Sequence, residues 1–186
     1  MLTSLLLAAL MQTASPGQDD VVVTGNRRPL ESVADVRTRE ALAYEAPLPR
    51  GAPEGDYPFV AWCEALVTGH VKLGETLTND DPLDQEIMRL GRLEAVDFRS
   101  ALAEASARQT PAEREAARQA ASDATAMFAP LMAQEDEKVR SQAFGLFFGL
   151  PGRCEHAARR IRANITTPPA TLAEAGLDAD GRPTAP

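Results

Sequence analysis

Cys63 and Cys154 constrain this chain more than any other two residues, because each falls on the apolar stripe of a segment with helical periodicity. Phe59, Cys63, Leu66, His70 and Leu73 recur at helical spacing within residues 58–77, and Cys154, Ala158, Ile161 and Ile165 do the same from residue 153 onward. A bond between the two sulfurs would tie the first helix of a core to its last. It would close a loop of about 90 residues, which on chain-entropy grounds gives roughly 4–5 kcal/mol as an upper expectation. In an exported chain two cysteines read as one disulfide, since an oxidising compartment lets the bond persist; two separate buried thiols are the alternative.

Export is what the N-terminal sequence suggests. Residues 2–11 form an uncharged apolar run, followed by Thr13, Ala14, Ser15 and Gly17, the small residues a signal peptidase requires. Residues 1–17 therefore read as a signal peptide cleaved after Gly17. The run is too short to cross a bilayer, which takes about 20 helical residues. No cysteine stands at its end for lipid attachment. The expected location is the periplasm, with no transmembrane segment in the mature chain.

An apolar share of 44% with only 5% aromatic residues and abundant alanine favours closely packed helices over a sheet. A net charge of −8, without a basic stripe carrying interleaved aromatics, opposes a nucleic-acid backbone. The expected fold is all-α: a small bundle of about five helices with one disulfide, a flexible N-terminal arm over 18–56, a helical domain over 57–165 and a disordered tail over 166–186.

Within the domain the first helix spans 58–77. The second starts at Asp81, an N-cap followed by Pro82 at the first helical position, and runs to 108. Its expected core stripe is Leu83, Ile87, Leu90, Phe98, Ala101 and Ala105. The third opens on Thr110, Pro111, Ala112 and Glu113, a capping box, and turns Ala116, Ala120, Ala124 and Met127 inward until Pro130 kinks or ends it. The fourth, 135–148, carries Phe144, Leu146, Phe147 and Phe148 and is expected at the centre of the core. After a turn at 149–152 the fifth places Arg153, Arg159, Arg160 and Arg162 on a charged, solvated side.

One short segment points to a partner. Asp19, Asp20, Val21, Val22, Val23, Thr24, Gly25, Asn26, Arg27 and Arg28 form an acidic start, a β-branched run and a small residue. This segment resembles the TonB box of TonB-dependent outer-membrane receptors, over about ten residues of the 186. The resemblance implies an extended strand, Val21, Val22, Val23, Thr24 and Gly25, that adds to a sheet edge in the energy-transducing protein TonB and binds through main-chain hydrogen bonds. The rest of the chain is several hundred residues short of a plug and barrel, so a receptor is excluded. What remains is a periplasmic protein whose arm engages TonB or another strand-accepting envelope protein.

His70 lies on the apolar face of the first helix and Glu94 on the expected stripe of the second, between Leu90 and Phe98. A buried carboxylate needs a partner, so the two are expected to meet as a buried polar pair that raises the histidine pKa. Such a pair is an acid/base couple, a pH switch or simply a satisfied core contact; a glutamate reaching an arginine is the other option. Cys63, His70, Cys154 and His156 match no zinc spacing, and no haem or phosphate-loop motif is present, so no metal or cofactor is expected. The functional expectation is a non-enzymatic periplasmic accessory or binding protein. The alternatives are a small envelope-acting enzyme using Glu94 and His70, and a helical stress holdase.

Overall fold

A computed structural model describes residues 32–78, 81–147 and 149–184. The leader over 1–17, the segment Val21, Val22, Val23, Thr24 and Gly25, and Phe148 lie outside the described residues. The rest is all-α, with six helices: α1 (Val33–Glu45), α2 (Asp56–Gly74), α3 (Pro82–Ser106), α4 (Pro111–Met132), α5 (Glu137–Gly145) and α6 (Arg153–Arg162). Cys63 of α2 and Cys154 of α6 are joined in a disulfide with Cα atoms 6.0 Å apart.

Helix α2 is the axis around which the others assemble. It packs against α3, α4, α5 and α6, and most of its residues are buried, Phe59, Val60, Trp62, Cys63 and Leu73 among them. Alanines do most of the facing: Ala95, Ala101 and Ala105 from α3, Ala117, Ala120 and Ala124 from α4, Ala157 and Ala158 from α6. Short side chains let helix axes approach closely, so the bulk of the core is supplied from α2 itself, where each fully buried large side chain contributes roughly 1.5–3 kcal/mol relative to exposure. The helix starts follow local chemistry. Asp81 accepts from the Leu83 amide at 2.8 Å with Pro82 at the first helical position, and Thr110 and Glu113 cap one another's amides at 3.2 and 2.7 Å.

Several expectations are corrected. Residues 33–45, assigned to the arm, form α1, because Ser32 and Asp35 make a reciprocal capping box (3.1 and 3.2 Å) and Ala41 is buried beneath it. The core face of α3 runs through Met88, Gly91 and Ala95 before reaching Phe98, Ala101 and Ala105; Leu83 and Leu90 are 65% and 50% exposed. Gly91 explains the difference, since its missing side chain lets α3 close onto Val71 of α2 and turns the leucines outward. In α4 Ala120 and Ala124 face inward as expected, Ala117 joins them in place of Ala116, Ala116 and Met127 are exposed, and the helix continues two residues past Pro130.

Helix α5 ends at Gly145, and its Phe144 joins Leu73 and Met88 in a second, smaller cluster at the C-terminal end of α2 rather than the main core. Leu146 is 67% exposed. Helix α6 stops at Arg162, leaving Ile165 beyond it and 39% exposed. Residues 166–184, expected as a disordered tail with one helical turn around 172–175, do hold a 3₁₀ turn at Ala173–Ala175, opened by Thr171 and Glu174, and beyond it an isolated bridge between Leu177 and Pro183. Leu177 is buried, which gives this segment an apolar anchor.

Candidate functional site

The densest polar cluster lies where α1, the start of α2 and α6 meet. Arg160 is only 5% exposed although the sequence places it on a solvated face. Its guanidinium donates from Nε to Asp56 Oδ2 at 2.9 Å, from Nη1 to Glu40 Oε1 at 2.7 Å, and from Nη2 to the Thr167 carbonyl. Glu40 also accepts from Arg159 Nη2 at 3.0 Å, and Tyr44 donates its hydroxyl to Asp56 Oδ1 at 2.6 Å. Burial, together with the adjacent Asp56 carboxylate, pushes the Tyr44 phenol far above its ordinary range. Arg153 lays its guanidinium over the Tyr44 ring at 4.4 Å and donates to the Glu54 carbonyl at 2.7 Å.

This arrangement is a clasp. Each nitrogen of Arg160 meets a protein acceptor, so the group fastens α1 to α6 and to the segment after it, and three of its five N–H donors are taken up in doing so. His156, 5% exposed, accepts at Nδ1 from Arg159 at 3.0 Å, which places its proton on Nε2. Desolvation, followed by the charge of Arg159, holds its pKa below the usual value. Beside the clasp is an open cleft of about 350 Å³ whose wall includes Asp56, Gln109, Glu113, Arg160 and Asn164. Its charged groups are committed elsewhere: Asp56 and Arg160 to each other, Glu113 to the Thr110 cap.

The sequence-based site residues are placed as follows. Cys63 and Cys154 are bonded and buried. His70 is buried as expected, but its ring is sandwiched between Phe144 and Phe147, with centroids 4.3 Å away on each side, and Nε2 lies 3.0 Å from the Phe144 carbonyl. Glu94 is exposed on α3. No hydrogen bond or ion pair joins the two among the described residues, so the buried His70 and Glu94 pair is not formed. The turn of α3 that buries Gly91 and Ala95 carries Glu94 to the solvent side. The expected rise in the His70 pKa is reversed, since desolvation outweighs the carbonyl contact and lowers it. The Glu94 carboxyl is raised instead, by partial desolvation and then by the like charges of Glu155 and Asp97.

Among the described residues no group of three or more His, Cys, Asp or Glu is placed to hold a metal ion, and no helix is long and apolar enough to cross a membrane. No protein-family model, curated protein or solved structure matches this chain. The clasp residues Glu40, Tyr44, Asp56 and Arg160 were missed because three of them fall in a stretch read as flexible. The signal that finds them is local: Ser32 and Asp35 stand at capping-box spacing before an alanine-containing helical run.

Proposed function

We infer that this protein is a non-enzymatic accessory or binding protein of the periplasm, whose segment Val21, Val22, Val23, Thr24 and Gly25 engages TonB or another strand-accepting envelope protein. The observation that carries the compartment is the Cys63–Cys154 bond, buried at 0% and 1% exposure, since such bonds persist where the surroundings are oxidising. The partner rests on the sequence of residues 19–28 and on the β-branched run that suits strand addition. A tether also needs an anchor behind it. Eight positions after Gly25 the chain enters α1 at Val33, and α1 is clasped through Glu40 to α6, which is stapled to α2. That series of fastenings supports a tether reading: the first described helix after the segment is not free to peel away.

The test is capture by the C-terminal domain of TonB, using the exported form with and without residues 21–25. Capture of the intact form and loss with the deletion is the expected result; equal capture of both removes the tether. Mass spectrometry of material from the native host tests the compartment separately. The leader is expected to be gone and both sulfurs refractory to alkylation until a reductant is added.

A further inference from the structure

Helix α2 is covered on most sides, and its exposed strip is short: Thr68 and Lys72 are reached by solvent between α3 and α4. Two clefts open on this strip and share those two residues. One, about 170 Å³, lies toward α4 and is walled by Ala65, Gly69, Phe128 and Met132. The other, about 230 Å³, lies toward α3 and carries Arg92 and Arg99 beside Val71 and Ala95. Gly69 shapes the first, since a Cβ there would run into the Phe128 ring that forms its wall. Met132, 41% exposed, leaves apolar surface on the rim.

The charges of the second cleft do not cancel. Arg92 is paired with Glu75 at 2.8 Å and Arg99 with Glu64 at 3.5 Å, while among the described residues Lys72 makes no ion pair. Its ammonium therefore stands as the surplus positive charge at the junction of an apolar cleft and a polar one, on a chain whose net charge is −8. Neither cleft alone reaches the ~300–1,000 Å³ range of small-ligand sites, so an occupant has to span both across Thr68 and Lys72, with apolar walls at one end and fixed polar groups at the other.

We propose that the paired clefts along α2 bind a single-chain amphiphile with an anionic head, the head at Lys72 and the alkyl chain against Gly69, Phe128 and Met132; the Thr68 hydroxyl between the clefts is already donated to Glu64 at 2.9 Å, which leaves Lys72 as the group that holds the head. A carboxylate and a phosphate monoester meet the same requirement: acceptor oxygens for an ammonium that has no ion-pair partner among the described residues. The alkyl segment gains by covering Phe128 and Met132. This site is separate from the N-terminal segment and does not depend on the TonB reading.

The test is calorimetric titration of the full chain with dodecanoate, monododecyl phosphate, dodecanol and dodecyltrimethylammonium, each below its micellar concentration. Both anions are expected to bind saturably at one site, and Lys72→Met to weaken them about tenfold while leaving dodecanol unchanged, the loss of one charge-assisted contact. Met132→Gln, a neutral change of similar length at an exposed position, is expected to weaken the anions and dodecanol alike with an unchanged helical circular dichroism spectrum. Tighter binding of dodecanoate assigns a fatty acid, and tighter binding of the phosphate assigns a phosphorylated lipid head. Equal binding of the cationic amphiphile, unchanged binding by Lys72→Met, or no saturable binding of either anion overturns the proposal.

Discussion

Arg160 and Glu40, 120 positions apart in sequence, are joined at 2.7 Å with the arginine almost wholly withdrawn from water. Withdrawal of a charge from water costs several kcal/mol and is offset here because two carboxylates and one carbonyl together take all three guanidinium nitrogens. The clasp thereby fixes α1, which has few apolar contacts of its own, Ala41 being its one buried residue.

Removing one partner from such a set leaves the others buried with fewer contacts than they need, Glu40 retaining Arg159 and Asp56 retaining the Tyr44 hydroxyl. Arg160→Met is expected to lower stability by up to about 3–5 kcal/mol, because Asp56 loses its counter-charge and Glu40 keeps only the half-exposed Arg159. Glu40→Gln should cost less, since Asp56 and the Thr167 carbonyl still engage the arginine. Urea unfolding checks both. A midpoint for Arg160→Met within about 0.5 kcal/mol of the parent, the range of ordinary surface changes, would show that the clasp does not stabilise the fold.

The disulfide acts on the unfolded chain, where its sequence separation of 91 residues removes much conformational freedom. Replacing Cys63 and Cys154 together by alanine is expected to lower stability by up to about 4–5 kcal/mol, alanine being preferred because both positions are buried and a hydroxyl would lack a partner. Reductant added to the folded protein should leave the bond intact, and the same reductant in urea should open it. Rapid alkylation of both sulfurs under native conditions would contradict the burial.

What the sequence made legible was local. Asp81 with Pro82, and Thr110 with Glu113, set helix starts that the structure keeps, and the two cysteines lie on the faces their periodicity assigns. The α3 stripe was not legible, because its first half offers two apolar faces, one through Leu83 and Leu90 and one through Met88 and Gly91, and the choice depends on how closely Val71 of α2 approaches. Arg160 was illegible for a related reason: a charge on a helix reads as solvated until its partners, here Glu40 and Asp56, are known to fold back onto it from 104 and 120 positions away. The Ser32 and Asp35 box was legible but sat in a stretch without sustained apolar periodicity, and α1 is held mostly by charge.

His70 gives a pH dependence whose sign follows from its surroundings. Burial holds its folded pKa below the ordinary value of 6.5, so on acidification the unfolded chain takes up a proton first. The neutral ring's contribution is complete above about pH 6.5 and is lost as the pH falls from there through the depressed folded value. His70→Gln, which keeps an amide donor for the Phe144 carbonyl, is expected to flatten the fall in stability between about pH 7 and 5.5, above the ordinary carboxylate range, the raised Glu94 being common to parent and variant. His156 shifts in the same direction, so changing both should flatten it further. Equal slopes for the parent and His70→Gln in urea titrations across this window would show that the Phe144 and Phe147 sandwich does not govern protonation.

Two helical glycines separate backbone freedom from close packing. Gly145, at the end of α5, has open space where a Cβ would stand and does not adopt a positive φ, so Gly145→Ala is expected to stabilise by roughly 0.5–1 kcal/mol through reduced chain entropy. At Gly91 the added carbon would lie 2.7 Å from Val71 Cγ2, and Val71 is β-branched and only 6% exposed within α2, so its side chain has little freedom to yield. Relief then requires α3 to move off α2, and overpacking of this kind costs about 1–3 kcal/mol, more than the backbone gain. Thermal unfolding of the two variants should therefore move in opposite directions. A stabilised Gly91→Ala would mean that α3 does not rest on α2 as closely as described, and with it that the face through Leu83 and Leu90 has no reason to be turned outward.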